Sequence, residues 1–135
     1  KILTFGFSGD VARNPHAPHN IMRRCVAYTG THDNNTVRGW FEHEISDEQK
    51  NLIFRYIGGP VGADHIHRIL MRLAMISPAE TVIIPMQDIL GLGEEARMNR
   101  PGTTDGNWEW RLLSEQMTEQ ALQEFSEITG IYGRK

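Results

Sequence analysis

A histidine followed by an aspartate, His32-Asp33, lies just past a segment rich in β-formers. In α/β barrels and open parallel sheets, loops gather at the C-terminal ends of the strands, and sites are built there. An acid beside an imidazole can hydrogen-bond hydroxyl groups or stabilise developing positive charge. A bare His-Asp pair is also what a turn or cap at a strand end looks like, so its meaning depends on its surroundings.

Other residue types offer competing chemistries. His16 and His19 are three apart and His65 and His67 are two apart, but no cysteine pair or His-Glu-x-x-His pattern accompanies them. On a helix, two residues two apart point about 200° from each other, so His65 and His67 do not share an ion. No metal site is expected. Gly91-x-Gly93 resembles the start of a dinucleotide loop, but the third glycine is missing and Ala96 is the nearest small residue. Trp40, Trp108 and Trp110 are candidate stacking platforms. Trp40, in Gly39-Trp40-Phe41, is expected in the core, and one of the other two is expected to pack inside. Glu94, Glu95, Arg97, Asn99, Arg100, Asp105, Asn107 and Arg111 make the stretch around Pro101-Gly102 densely polar, a shaped surface suited to hydroxyl-rich ligands.

The elements that must position these residues follow from pattern and punctuation. Ile2 to Phe7 alternates and is predicted as a short strand, Ser8 to Asn20 as a loop, and Arg24 to Thr31 as a second strand. Ser46 with Gln49 has capping-box spacing. It opens a helix with Leu52, Ile53, Tyr56 and Ile57 on one face, stopped by Gly58-Gly59-Pro60. A second helix is predicted from about Ala63 to Ile76, with Ile66, Ile69, Leu70 and Leu73 at helical spacing. Thr81 to Met86 reads as a strand buried on both faces, which points to a parallel sheet. A long connection runs from Leu90 to Trp108, and connections of that length are usually functional. Leu122, Phe125 and Ile128 mark a last helix, with Gly130 as its cap. The fold class is therefore α/β, and the strand edges of so small a sheet call for a cover.

Composition narrows the setting. The chain has 135 residues, 39% of them hydrophobic and 23% charged, with a net charge of −3. That is about half of the ~250 residues of a complete (β/α)8 barrel. The negative balance argues against nucleic acid as the main partner. No apolar run is long enough to cross a bilayer, and no signal peptide is visible after Lys1. The single cysteine, Cys25, allows no internal disulfide and fits a reducing compartment, so a cytoplasmic protein is expected.

Three stretches together resemble glycoside hydrolase family 77, the 4-alpha-glucanotransferases (amylomaltases or disproportionating enzymes). The first is Tyr28-Thr29-Gly30-Thr31-His32-Asp33-Asn34-Asn35-Thr36 with Gly39-Trp40. The second is Pro85-Met86-Gln87-Asp88-Ile89-Leu90-Gly91-Leu92-Gly93. The third is Glu95-Ala96-Arg97-Met98-Asn99-Arg100-Pro101-Gly102, continued by Gly106-Asn107-Trp108 and Trp110-Arg111-Leu112. Asn14-Pro15-His16 with Pro18-His19-Asn20 also fits, and Tyr132-Gly133-Arg134 falls near the family's usual C-terminus.

The resemblance implies a (β/α)8 TIM barrel of which residues 1–135 are the C-terminal segment, about strands 6 to 8 with their helices and with no separate second domain. It implies transfer of an α-1,4-glucan segment to the 4-hydroxyl of an acceptor sugar by a retaining double displacement, without metal or organic cofactor. Such a reaction needs a nucleophilic and an acid/base carboxylate about 5–5.5 Å apart. In the family these lie at the ends of the fourth and fifth strands, upstream of anything present here. Asp33 matches the third carboxylate, the transition-state stabiliser, and His32 and Asn99 match substrate-binding positions. Asn34-Asn35 departs from the Asn-Asp of many relatives. Maltooligosaccharides are the implied partners, and self-association through unpaired strand edges is expected of an isolated segment. The competing readings are a non-catalytic glucan-binding or assembly fragment and an α-glucan hydrolase.

Overall fold

The computed structural model describes residues 1–134. Two short strands, β1 (Val26–Tyr28) and β2 (Thr81–Ile83), pair in parallel with Ala27 opposite Val82. Between them run three helices, α1 (Val37–His43), α2 (Asp47–Ile57) and α3 (Ile66–Ile76). The short α4 (Met86–Ile89) follows β2, and α5 (Glu119–Ile131) closes the chain. This is an α/β arrangement with a parallel sheet. Among the described residues, no helix is long and apolar enough to cross a membrane.

The helix predicted from the capping box is present as drawn. Ser46 Oγ accepts from Gln49 N–H and the Gln49 side chain accepts from Ser46 N–H, so two orphan donors of α2 are satisfied reciprocally. Gly58 ends the helix at φ +91, a left-handed conformation that costs a residue without Cβ little. α3 starts at Ile66, later than expected. Gly62 carbonyl accepts from His65 and Ile66 N–H in a turn that takes the place of the first helical residues. α3 then buries Ile66, Leu70 and Ala74 against Leu3, Phe7, Val37, Phe41 and Ile53. Met71 and Met75 turn to a second cluster with Ile128 of α5.

Four expectations need correction. Leu3–Phe7 is a 3-10 helix, and only Ile2 bridges to Tyr28. Leu3, Thr4, Gly6 and Phe7 are all buried, a pattern that alternation cannot produce but that two adjacent ridges at i, i+3 can. The strand at Thr81 ends at Ile83, and Thr81 and Ile83 are exposed rather than buried. With a single neighbouring strand and cover on one side, that face of β2 remains open. Pro85 then caps α4, so Met86 belongs to a helix and not to the strand predicted over Thr81 to Met86. Finally, Gly130 lies inside α5, which leaves the helix only at Tyr132.

α1 has no counterpart among the elements expected from the sequence. Its signal is Thr36, whose hydroxyl accepts from Gly39 N–H as an N-cap. The helix spans only seven residues and contains Gly39. Trp40 lies in the core as expected, 8% exposed.

Candidate active site

β1 delivers the chain to Thr29 and Gly30, both buried, and the residues from Thr31 to Thr36 form a loop before α1. Asn34 clasps that loop from within, its Oδ1 accepting from Thr31 N–H (2.9 Å) and Thr31 Oγ1 (2.8 Å). Asn34 N–H also donates to Thr31 carbonyl at 3.1 Å, so side-chain and backbone bonds close the same tight turn. It carries His32 and Asp33 outward, with side chains 56% and 51% exposed and His32 Nε2 lying 3.4 Å from Asp33 Oδ1.

A second arm meets this loop from 64–66 residues away in sequence. Asn99 Nδ2 donates to Asp33 Oδ1 at 2.7 Å, and Asn99 N–H donates to His32 carbonyl at 3.1 Å. Arg97 spreads one guanidinium over three acceptors: Asp33 carbonyl (3.0 Å), Glu44 Oε1 (3.0 Å) and Asn99 carbonyl (2.9 Å). Its side chain is only 15% exposed. A planar fork of five donors suits this task in a way that a lysine ammonium does not. Trp108 N–H donates to Met98 carbonyl (2.7 Å), and the indole lies over His32 with ring centroids 5.0 Å apart. Trp108 holds φ +63, the one non-glycine residue with positive φ among the described residues. Backbone strain of this kind costs of order 1–3 kcal/mol and persists only where the surroundings enforce it.

The sequence-derived candidates Asp33, His32 and Asn99 therefore meet in space. Sequence reasoning did not single out Arg97 as a bridge, and the positive φ of Trp108 left no local signal. Trp108 is 53% exposed and Trp110 is half-buried, so neither packs inside as expected; the polar segment beyond Pro101 stays on the surface. There Asn107 holds the turn through Arg100 N–H and Thr103.

Chemically, the exposed Asp33 carboxylate can accept hydroxyl donors and face positive charge, with an imidazole and an indole beside it. The carboxylates nearby are engaged: Glu44 with Arg97 and Asn35, Glu94 with Arg100, and Asp88 with Thr29 and Val37.

The remaining histidines serve packing and hydrogen bonding. His16 Nδ1 accepts from Ile2 N–H, His19 meets Tyr56 hydroxyl, and His65 pairs with Asp64. Among the described residues, no three His, Cys, Asp or Glu side chains are grouped to hold a metal ion. Gly91, at φ +66, lies against the His67 ring, where a Cβ would come within 2.6 Å.

His67 and Asp88 are buried titrating groups that oppose each other. Burial, helped by the Arg68 charge, lowers His67 from 6.5 to about 4, and burial raises Asp88 from 3.8 to about 6. The folded state refuses the His67 proton that the unfolded state takes, so this contribution to stability grows as pH rises from about 4 to 6.5. Asp88 is favoured neutral in the fold, so its contribution falls as pH rises from 3.8 to about 6. Each is worth roughly 3 kcal/mol over its window, and between pH 4 and 6 the two nearly cancel. The expected result for His67→Gln is that the cancellation disappears: stability by urea unfolding should fall by roughly 2 kcal/mol relative to wild type from pH 4 to 6. A pH profile parallel to wild type would contradict these assignments.

A family model described as 4-alpha-glucanotransferase, glycoside hydrolase 77, matches residues 1–117. The 4-alpha-glucanotransferase of Synechocystis sp. is 46% identical over the whole of this chain and 26% of its own length. The chloroplastic/amyloplastic 4-alpha-glucanotransferase of Solanum tuberosum is 42% identical over 98% of this chain and 23% of its own. Amylomaltase from Streptococcus agalactiae, solved in complex with acarbose, superposes with a TM-score of 0.91 at 37% identity, over 99% of this chain and 27% of that one. The chain spans about a quarter of the length of the curated relatives it matches. With its His32-Asp33 loop held by Arg97 and Asn99 on a parallel-strand end, and with a family match across most of its residues, the chain belongs to glycoside hydrolase family 77, the 4-alpha-glucanotransferases.

Proposed function

We propose that this chain forms the C-terminal segment of the catalytic barrel domain of a 4-alpha-glucanotransferase, about strands 6 to 8 of a (β/α)8 barrel. In this reading β1 is the seventh strand, β2 the eighth, and the bridge at Ile2 what remains of the sixth. The activity is transfer of an α-1,4-glucan segment to the 4-hydroxyl of another sugar by retaining double displacement. The nucleophile and the acid/base come from residues outside this chain. Asp33 accepts hydroxyls of the sugar at the cleavage point and stabilises its oxocarbenium-like transition state; His32 and Asn99 bind the same substrate. The observation that carries this reading is the exposed carboxylate of Asp33, oriented by Asn99 at the end of a parallel strand. A retaining mechanism needs two more carboxylates acting on one sugar, and the nearby acids of this chain are engaged elsewhere.

The substrate class is maltooligosaccharide, in keeping with an amylomaltase neighbour solved with acarbose. The free Cys25 thiol suits a reducing compartment such as the cytoplasm. The open side of β2, with Ile83 exposed, would be covered by the rest of the barrel, and it is where the isolated segment would self-associate. The test is incubation with maltotriose and chromatography of the products. A polypeptide of full family length containing this chain should yield glucose and a ladder of longer glucans, and the 135-residue chain alone should yield neither. Glucose alone from the long form would make it a hydrolase. No turnover by the long form would leave only a glucan-binding role, and a ladder from the short chain would overturn the placement of the missing carboxylates.

A further inference from the structure

Asp88 lies outside the loop that carries His32 and Asp33, yet it grips both ends of that loop. Its Oδ2 accepts from Thr29 Oγ1 and its Oδ1 accepts from Val37 N–H at 2.8 Å. Thr29 is the first residue after β1, and Val37 is the first residue of α1. The two bonds therefore tie the strand end to the helix start and close the span 30–36 at its base. All three residues are buried, with Thr29 and Val37 fully so and Asp88 2% exposed.

A carboxyl group is a costly choice for such a place. Burying it exacts a desolvation penalty that an apolar side chain would avoid, and among the described residues no ion pair joins Asp88. What the carboxyl supplies, and a leucine could not, is two acceptors set apart at the spacing of the loop ends. One of them takes an orphan N–H at a helix start. From the opposite side, Arg97 and Asn99 hold Asp33 itself. The loop is thus gripped at its tip by one arm and at its base by another.

We infer that Asp88 is a positioning residue for Asp33, fixing the span 30–36 so that the Asp33 carboxylate is presented to the sugar at the cleavage point. The inference rests on the role proposed for Asp33, but the clamp itself stands on geometry and is tested separately. It acts through bonds to Thr29 and Val37, and Asp88 need not touch substrate.

The test uses a polypeptide of full family length containing this chain, with three variants: Asp88→Leu, Asp88→Asn and Thr29→Val. Hydrogen–deuterium exchange of the peptide covering 30–36 reads the clamp, and kcat and KM with maltotriose, measured well below the melting temperature, read its consequence. Asp88→Leu should speed exchange in 30–36 about tenfold, leave α2 unchanged, and lower kcat about tenfold with KM moving less than threefold, since small misplacements of a reacting group act on kcat. Asp88→Asn should lose less, because its amide oxygen still accepts from Val37 N–H while its NH2 donates to Thr29 Oγ1. A purely structural role would lower the melting temperature with kcat unmoved, and that result in Asp88→Leu would overturn the inference. Should Asp88→Leu not fold, Thr29→Val removes one of the two bonds while keeping the side-chain shape; unchanged exchange in 30–36 there would overturn it equally. Absence of transfer by the wild-type protein would refute the proposed function, while the exchange data would still decide the clamp.

Discussion

Replacing Asp33 by asparagine in a polypeptide of full family length should lower kcat by about 10²–10³-fold while KM changes by less than about threefold. The substitution is nearly isosteric, and its amide oxygen can still accept from Asn99 Nδ2, which now bonds Asp33 Oδ1 at 2.7 Å. The loop geometry is therefore kept and the charge alone is removed. Hydroxyl contacts in the ground state survive in part, because an amide oxygen also accepts. On the proposed function, what disappears is attraction between a carboxylate and the positive charge that builds on the sugar ring only as the bond breaks. An interaction made in the transition state alone appears in kcat and scarcely in binding. Steady-state kinetics with maltotriose would check this, and a kcat within tenfold of wild type would remove Asp33 from its proposed role.

Arg97→Met should be the next most damaging change, lowering kcat by about 10²-fold. Methionine keeps much of the stem but removes every donor. Asp33 carbonyl, Glu44 and Asn99 carbonyl then lose one shared partner at 3.0, 3.0 and 2.9 Å. The pair with Glu44 has one well-covered member, with Arg97 15% and Glu44 41% exposed, so it is less screened than an ordinary surface pair. Thermal unfolding should show a loss of about 1–3 kcal/mol from the vanished charge-assisted bonds. Arg97→Lys should rescue little, since a single ammonium cannot span three acceptors set around a plane. Glu44→Gln should be milder, because an amide oxygen still accepts from Arg97. A variant Arg97→Met with kcat within threefold and an unchanged melting temperature would show that the bridge holds nothing that matters to the reaction.

The elements that were legible beforehand are those whose signals are local. Ser46 and Gln49 are three residues apart, and their reciprocal bonds depend on nothing beyond one helical turn, so α2 could be drawn from its start to Gly58. α3 announced itself through Ile66, Ile69, Leu70 and Leu73, which form one stripe on any helix. Where two structures satisfy the same short pattern, the local reading failed. Leu3–Phe7 alternates like a strand, but Gly6 is pressed against His16 carbonyl and Ala17, and the chain coils into a 3-10 helix to make that contact. β2 looked doubly buried because Val82, Ile83 and Ile84 are apolar, a pattern suited to a strand within a larger sheet, whereas here only β1 lies beside it.

The site divides along the same line. The order of the motifs along the chain was enough to identify the family, and that resemblance in turn implied His32, Asp33 and Asn99 as site residues, because a motif is carried by residue types in sequence. That Asn99 meets Asp33 across 66 residues, that Arg97 bridges Asp33 to Glu44, and that Asp88 ties Thr29 to Val37 across 59 and 51 residues were decided by the tertiary structure alone. Backbone preferences reach only a few residues along the chain, whereas contacts at such separations exist only once the strands pair and the helices pack around a common core and bring distant loops to one strand end.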